Sequence, residues 1–597
     1  MATTEFDAQQ DLKKFDPIET SLKSFFLGPK AENADMVTEL VQEIFQEWYT
    51  WRRSIDSEDG IAITPADKNL DAFQLQNDTF REKVREIIAR FHDEIPTFSP
   101  RYIGHMVTEI SLPALLGHII TLLHNPNNIT GEASRIGIQV EDEAIADLAE
   151  MMGYDREKAV GHFTSGGTVA NFEGLLRGRS RMAKWLTLGA LAKTQGEEIS
   201  LFDAAHMGWE KYDELYGKLG ADESVLAPYH LQKNNPFEIA EKLNRIFGVS
   251  YKGPVLLVPE NKHYSWEKAV SLIGLGKDAF WPVALDKRGK QDVNDLRRQI
   301  ERARSENRPI LAVISVAGTT ELGDFDPIHE VNELLEEYRD QGIHLWHHVD
   351  AAYGGFFCSL DTEACKYISD SMKQALNAIG KSNSITTDPH KLGYVPYASG
   401  AFMCSKAREY YASDVNAPYI DFKEMLDKGP QTIEGSRSAA GAVSTWLTSK
   451  TIGLNGEGYG KILSRTIKAR VQLEHFLKEA SPLIKVVPHS ETNICCFCVA
   501  RENEPVSITN KRTLAVYKAY SSSENHPFYV SKTTLFHKAY KEYLDDFVAD
   551  WNGQFNTEGI VLIRLTLMNP FFTTQETEIH YPEAFVEDLV KTISDIG

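Results

Sequence analysis

Four short segments of this chain carry side chains able to hold and activate a small molecule: Ser165-Gly166-Gly167-Thr168, His263, Asp350-Ala351-Ala352 and Asp388-Pro389-His390-Lys391. A Ser/Gly/Thr run that opens a helix offers backbone N–H groups and a hydroxyl to an anion at the helix's positive end, although such a run also serves as an ordinary N-cap. Asp350 closes a strongly apolar stretch, where an ionised carboxylate is costly unless a cation or a donor meets it; a structural ion pair would satisfy it equally. Lys391 follows another apolar stretch, between His390 and Leu392. Burial and neighbouring charge there would strip its proton and leave a nucleophilic amine that captures aldehydes, where a surface lysine is the plain alternative. His263, in PENKHYSW, follows a third apolar stretch, and its imidazole can lie flat over an aromatic ring.

Taken one at a time, each segment has a structural explanation. Together they amount to an anion site, an aldehyde-capturing amine, a carboxylate that keeps a pyridine nitrogen protonated and an aromatic cap. Those are the requirements of pyridoxal 5'-phosphate.

The elements that must position these groups lie between about 110 and 406, where Val- and Ile-rich runs alternate with amphipathic helical stretches. GPVLLVPE, PILAVISVAGTT, IHLWHHVDAAYGG, SNSITTDPHK and ASGAFMCSK are strand candidates, and DVNDLRRQIERARSEN and IHEVNELLEEYRDQ are helices between them. Alternation of this kind predicts an α/β fold with a mainly parallel sheet covered on both faces, whose ligands gather at the carboxyl ends of the strands. Ahead of it, residues 1–109 read as a helical arm with apolar residues at three-to-four spacing. Residues 110–435 form the large domain, with a mobile loop at about 407–435, and residues 436–597 form a smaller α+β domain.

Other leads fail on spacing. Gly380-Lys381-Ser382 resembles the end of a phosphate loop, but Ala375 stands where its first glycine belongs. His347 and His348 are adjacent on a strand and point to opposite faces, so with His344 they make no metal set. Cys495 and Cys498 have the spacing of a zinc pair without a second pair to complete it.

Composition narrows the partners. Lys and Arg number 63 against 85 Asp and Glu, a net charge of −22 that repels nucleic acid and anionic membranes. No apolar run approaches the roughly 20 residues of a membrane span, and MATTEFDAQQDLKKFD has no signal-peptide core, so a cytoplasmic location is expected. The six cysteines are expected to be reduced and mostly buried.

HVDAAYGG, TTDPHKLGYVPYASG and TSGGTVANFEG closely resemble the group II pyridoxal-phosphate amino-acid decarboxylases, and DPHKLGYVPYASG with PENKHYSW is most similar to the bacterial tyrosine decarboxylases. The resemblance runs from about Arg101 to IRLTLMNP. It implies the aspartate-aminotransferase-like type I fold: an intertwined homodimer with an N-terminal helical arm, a seven-stranded large domain and a small C-terminal domain. It further implies that Lys391 carries the cofactor as a Schiff base, that Asp350 pairs with the pyridine nitrogen, and that His263 and Ala352 flank the ring. Gly167, Thr168 and His390 would hold the phosphate, with Asp388 beside them and Thr320 near the ring. Tyr419 in NAPYIDF is the first candidate for the acid that protonates the product carbon, and Tyr397 in GYVPYASG is the second. Gly435 and Ser436 resemble a segment through which the neighbouring subunit reaches the phosphate. The implied reaction is decarboxylation of an L-amino acid such as L-tyrosine. A glutamate or aspartate decarboxylase of the same family is the main alternative, and a non-catalytic binding protein on the same fold is the remote one.

Overall fold

The computed structural model describes residues 15, 17–412, 427–521 and 527–596. Near the N-terminus stand two long helices, α1 (Ala34–Ser54) and α2 (Asp71–Phe91). Their apolar residues recur at helical spacing as expected, yet neither helix buries any residue in the single chain, and Trp51, Phe80, Ile88 and Phe91 are all exposed.

The centre is a seven-stranded sheet of β1 (Val160–Thr164), β2 (Val255–Pro259), β3 (Phe280–Val283), β4 (Ile310–Val316), β5 (His347–Ala351), β6 (Ser384–Thr387) and β7 (Gly400–Cys404). Its order is β1-β7-β6-β5-β4-β2-β3. The run from β3 to β6 is parallel, and β7 is antiparallel to both β6 and β1. Strands β2, β4, β5, β6 and β7 are buried at every position, as a sheet covered on both faces requires. These five are the strands that their apolar runs predict. The other two were not anticipated: β1 carries Gly161 and His162 in only five residues, and β3 contains Pro282, which a sheet tolerates at the edge that β3 occupies.

Helix α3 (Gly167–Thr194) starts directly after β1, is buried along most of its 28 residues and lies against the sheet. Glycines permit that approach: a Cβ added at Gly174 would meet His348 Nδ1 at 2.4 Å, and one at Gly178 the Leu311 carbonyl oxygen at 2.5 Å. Helices α4 (Val293–Ser305) and α5 (Ile328–Asp340) precede β4 and β5 and match the two amphipathic stretches.

Beyond β7, the described ends of the 407–435 stretch are held in place. The Tyr410 hydroxyl meets His162 Nδ1 at 2.8 Å, and the buried Lys428 pairs with Asp142 and donates to the Gly161 carbonyl at 2.7 Å. Then come α6 (Ala440–Thr451), α7 (Tyr459–Ala480) and a second, antiparallel sheet. Its strands β8 (Ile484–Val486), β9 (Ile494–Val499), β10 (Ser531–Phe536) and β11 (Gly559–Thr566) lie in the order β10-β11-β9-β8, with helix α8 (Tyr581–Ile596) closing the chain. All six cysteines are unpaired, and Cys495, Cys496 and Cys498 are buried in β9. Among the described residues, no helix is long and apolar enough to cross a membrane.

The topology brings several strand ends to one edge. Val316 lies opposite Asp350, Asp350 opposite Thr386, Thr387 opposite Ala401 and Thr164 opposite Gly400. The segments that follow β1, β4, β5 and β6 therefore leave the sheet side by side.

Candidate active site

At that edge is a cavity of about 320 Å³. Residues of all four reactive segments line it: Ser165 to Thr168, His263, Asp350 with Ala352, and Asp388 with His390 and Lys391. Thr320 and Tyr397 belong to the same wall.

Lys391 sits in a tight turn after β6, its N–H bonded to the Asp388 carbonyl at 2.9 Å. Its Nζ lies 3.0 Å from Asp388 Oδ2. Burial alone would push this amine's pKa down, but Asp388, followed by Asp350 and Tyr397, outweighs burial and holds it above the ordinary lysine range. This corrects the expectation of a lysine stripped of its proton by its surroundings: the charges beside it are negative and stabilise the ammonium. Deprotonation needs an acceptor, and Asp388 Oδ2 is placed to be one.

His390 Nδ1 accepts from the Ser399 N–H at 3.2 Å, and its Nε2 is 3.5 Å from Asp388 Oδ2. Burial pushes its imidazole below the usual histidine value, with Asp388 acting against that. Tyr397 packs its ring 4.1 Å from the ring of His390. Burial raises the Tyr397 phenol above its usual value despite the nearby Lys391 cation, so it keeps its proton.

Asp350 is held from below. Its Oδ2 accepts from Asn171 Nδ2 at 2.7 Å and from Trp266 Nε1 at 3.0 Å, while Oδ1 has a longer contact, 3.3 Å, from the Ala352 N–H. His263 Nδ1 accepts from the Ser265 N–H at 3.3 Å, so the Ser265 hydroxyl, 2.9 Å away, donates to it, and the neutral ring carries its hydrogen on Nε2. Burial lowers the His263 pKa, opposed by Asp350 and reinforced by Lys391.

The Ser165–Thr168 run forms a cup at the start of α3. At Gly167 a Cβ would meet Asp388 Oδ2 at 2.8 Å and the Ala352 Cβ at 3.0 Å, so glycine is what lets the turn close on this carboxylate. Asp388 Oδ1 is buried without a hydrogen-bond partner, a polar atom that a ligand donor would satisfy. An amine, a helix N-terminus, a deep carboxylate and an orphaned acceptor in one small cavity fit pyridoxal 5'-phosphate.

Two candidates remain. Tyr419 lies outside the described residues. Ser436 is not part of this chain's cavity wall; its Oγ accepts from Asn127 Nδ2 at 3.0 Å. Two residues earlier, Glu434 Oε2 accepts from the Ser165 N–H at 3.0 Å and so touches the cup. Sequence reasoning missed Glu434, Asn171, Ser265 and Trp266. Asn171 lies in TSGGTVANFEG, and Ser265 and Trp266 lie in PENKHYSW, segments that carry the resemblance, but nothing in their spacing marks a role. The histidines set aside as metal ligands make internal hydrogen bonds: His347 to Asn332 and Ser315, His348 to Ser384 and Asn171.

Comparison with known proteins points the same way. Residues 241–500 match the model of the pyridoxal-dependent decarboxylase conserved domain. The chain is 28% identical to an L-tyrosine decarboxylase of Levilactobacillus brevis, over 96% of this chain and 97% of that protein. It is 31% identical to a probable L-tyrosine/L-aspartate decarboxylase of Methanosphaera stadtmanae, over 50% of this chain and 69% of that protein. The solved Oryza sativa TDC with PLP and tryptamine shares the fold at a TM-score of 0.60 and 15% identity, over 95% of this chain and 99% of that one.

Proposed function

Because the chain belongs to the pyridoxal-dependent decarboxylase family, we propose that its substrate is an aromatic L-amino acid, L-tyrosine first among them, converted to the corresponding amine and carbon dioxide. That the protein is a pyridoxal-phosphate-dependent amino-acid decarboxylase on the type I fold follows from the family and from the likeness to solved structures. The aromatic substrate rests on the cavity wall. Among the described residues, its rings are Tyr264, Tyr353, Tyr397, His263 and His390, and it contains no arginine and no lysine other than Lys391. An acidic side chain would meet no free cation there. Arg564 reaches this wall only through the Thr320 carbonyl, to which Nη1 donates at 2.6 Å, and its other nitrogens face His105 Nδ1 and Ser531 Oγ at 3.1 Å each.

When bound, pyridoxal 5'-phosphate supplies an aldehyde for the substrate amine and a pyridine ring that takes up the electron pair left by departing carbon dioxide. The chain's residues supply the rest. Gly167, Thr168 and His390 would hold the phosphate, His263 and Ala352 would pack on the ring, and Thr320 would lie beside it. Asp388, 3.0 Å from Lys391 Nζ, would take the proton of that amine when it attaches to the cofactor and return it when the substrate displaces it. Asp350 would pair with the ring nitrogen, and a tyrosine hydroxyl, Tyr419 first and Tyr397 second, would supply the proton for Cα. A homodimer is part of the same reading: the exposed apolar faces of α1 and α2 suit a second copy, and Ser436 would serve the partner's cup.

The test is a panel of single substrates with the amine product identified. L-Tyrosine is expected to exceed L-aspartate and L-glutamate by at least about a hundredfold in kcat/KM, the discrimination that an unpaired buried charge imposes. A higher value for either acidic substrate overturns the aromatic assignment.

A further inference from the structure

Beneath the cavity floor, a chain of polar groups ends on Asp350, and its direction follows from the chemistry of its members. Trp346 Nε1 lies 3.0 Å from Ser384 Oγ. An indole N–H only donates, so the serine oxygen accepts from it; at the other end Asn171 gives its NH₂ to Asp350 and so presents Oδ1 to His348 Nε2, which leaves Nδ1, 2.8 Å from Ser384 Oγ, to accept the serine hydrogen. His348 then carries its hydrogen on Nε2, which lies 3.3 Å from Asn171 Oδ1 and 3.2 Å from Thr386 Oγ1. With its carbonyl engaged, Asn171 turns its NH₂ toward Asp350 Oδ2 at 2.7 Å and Ser265 Oγ at 3.1 Å. Ser265 also fixes His263, so one asparagine links both groups proposed to touch the cofactor ring. Trp266 Nε1, a second donor-only group, reaches the same Asp350 oxygen at 3.0 Å.

Trp346, Ser384, His348, Asn171, Ser265 and Trp266 are each at most 1% exposed. Water does not compete with these bonds, and their polarity runs one way, from a group that can only donate toward a carboxylate. Burial drives the His348 pKa down to about 3. The imidazole therefore stays neutral, and what it passes on is orientation and not charge. Both N–H groups fall on Oδ2, which leaves Oδ1 with a single long contact, from the Ala352 N–H at 3.3 Å.

We infer that Asn171, Trp266 and His348 are positioning residues that occupy Oδ2 of Asp350 and thereby reserve Oδ1 as the acceptor for the protonated ring nitrogen of the cofactor. The inference rests on the proposed role of Asp350 and extends it to three residues to which no role has been given. The glycine at position 174 is part of the device, because only an absent side chain leaves room for the His348 ring beneath α3.

The experiment uses full-length protein reconstituted with pyridoxal 5'-phosphate and reads the cofactor dissociation constant and the pH dependence of its visible absorbance. Trp266→Phe removes one N–H and keeps the ring system apolar. Asn171→Ala and Gly174→Ala attack the other donor directly and through His348. Each is expected to weaken cofactor binding about tenfold, the worth of one hydrogen bond to a charged group, and to shift the absorbance–pH midpoint. Added to Asp350→Asn, each is expected to cost less than twofold more, because the carboxylate they serve is already gone. Trp266→Phe suffices if the other two fold poorly. His348→Gln, which can donate through its amide, is expected to retain more affinity than His348→Leu. Values within twofold of the unaltered protein for Trp266→Phe, or effects fully additive with Asp350→Asn, overturn the inference while leaving the Asp350 assignment intact. If Asp350→Asn itself leaves affinity and spectrum unchanged, the assignment of Asp350 fails and the inference fails with it.

Discussion

At Lys391, two carboxylates and burial pull in opposite directions, and the carboxylates win. On the proposed role of Lys391, its amine would therefore need a proton acceptor, and Asp388 stands 3.0 Å away. Lys391→Ala is expected to abolish the visible absorbance of the bound cofactor and the borohydride label at this position, read by peptide mass mapping. Gly167→Ala is expected to weaken cofactor binding at least about tenfold in an absorbance titration, since its Cβ would meet Asp388 Oδ2 at 2.8 Å and the cup would have to open. The residues that the sequence pointed to are those that follow strand ends, because a polar group at the end of an apolar run stands out. Asn171 and Trp266 are as close to Asp350, but they sit inside helices, where nothing in local spacing distinguishes a donor to the site from a core residue.

Among the elements, the loop from β4 to α5 shows how a wall residue is held. Gly318 and Thr319 donate their N–H groups to the Asp324 carbonyl, both at 3.0 Å, and the Thr319 hydroxyl accepts from the Asp324 N–H at 3.1 Å, which fixes Thr320 between them. The Asp324 side chain is buried, and burial, with Glu491 nearby, pushes its carboxyl up to about 8. The folded chain therefore holds it protonated at neutral pH, whereas the unfolded chain ionises near 4. Its contribution to stability is complete below that value and is lost as pH rises toward 8. Asp324→Asn is expected to gain on the unaltered protein by up to roughly 1.4 kcal/mol per pH unit between pH 4 and 8, measured by urea unfolding. A flat difference across that range would contradict it. Element by element, the sequence was most legible where burial is two-sided, as in β4, whose seven residues are all buried and all apolar but Ser315. It was least legible at sheet margins: β3 contains a proline, and β10, Ser531–Phe536, is half exposed and polar enough to read as a loop.

For the molecule as a whole, the two N-terminal helices matter most. A chain with Trp51, Phe80, Ile88 and Phe91 all exposed carries an apolar surface that isolated soluble proteins rarely leave uncovered. Phe80→Glu combined with Ile88→Glu is expected to shift the protein from dimer to monomer in sedimentation velocity, with cofactor affinity falling if the partner's Ser436 completes the cup. The periodicity of these helices was plain in the sequence, but what they pack against was not, because an amphipathic stripe specifies a face and not its occupant.

The side-by-side exit of the strands has a further consequence. Asp350 is paired with Val316 on one side and Thr386 on the other, so a slip of one residue in β5 would turn Val349 toward the place of Asp350 and bury the carboxylate in the core. On the proposed role of Asp350, cofactor binding therefore requires the correct alignment of β5. After renaturation from denaturant, the fraction of chains that can be titrated with coenzyme counts the correctly aligned central strands directly, chain by chain.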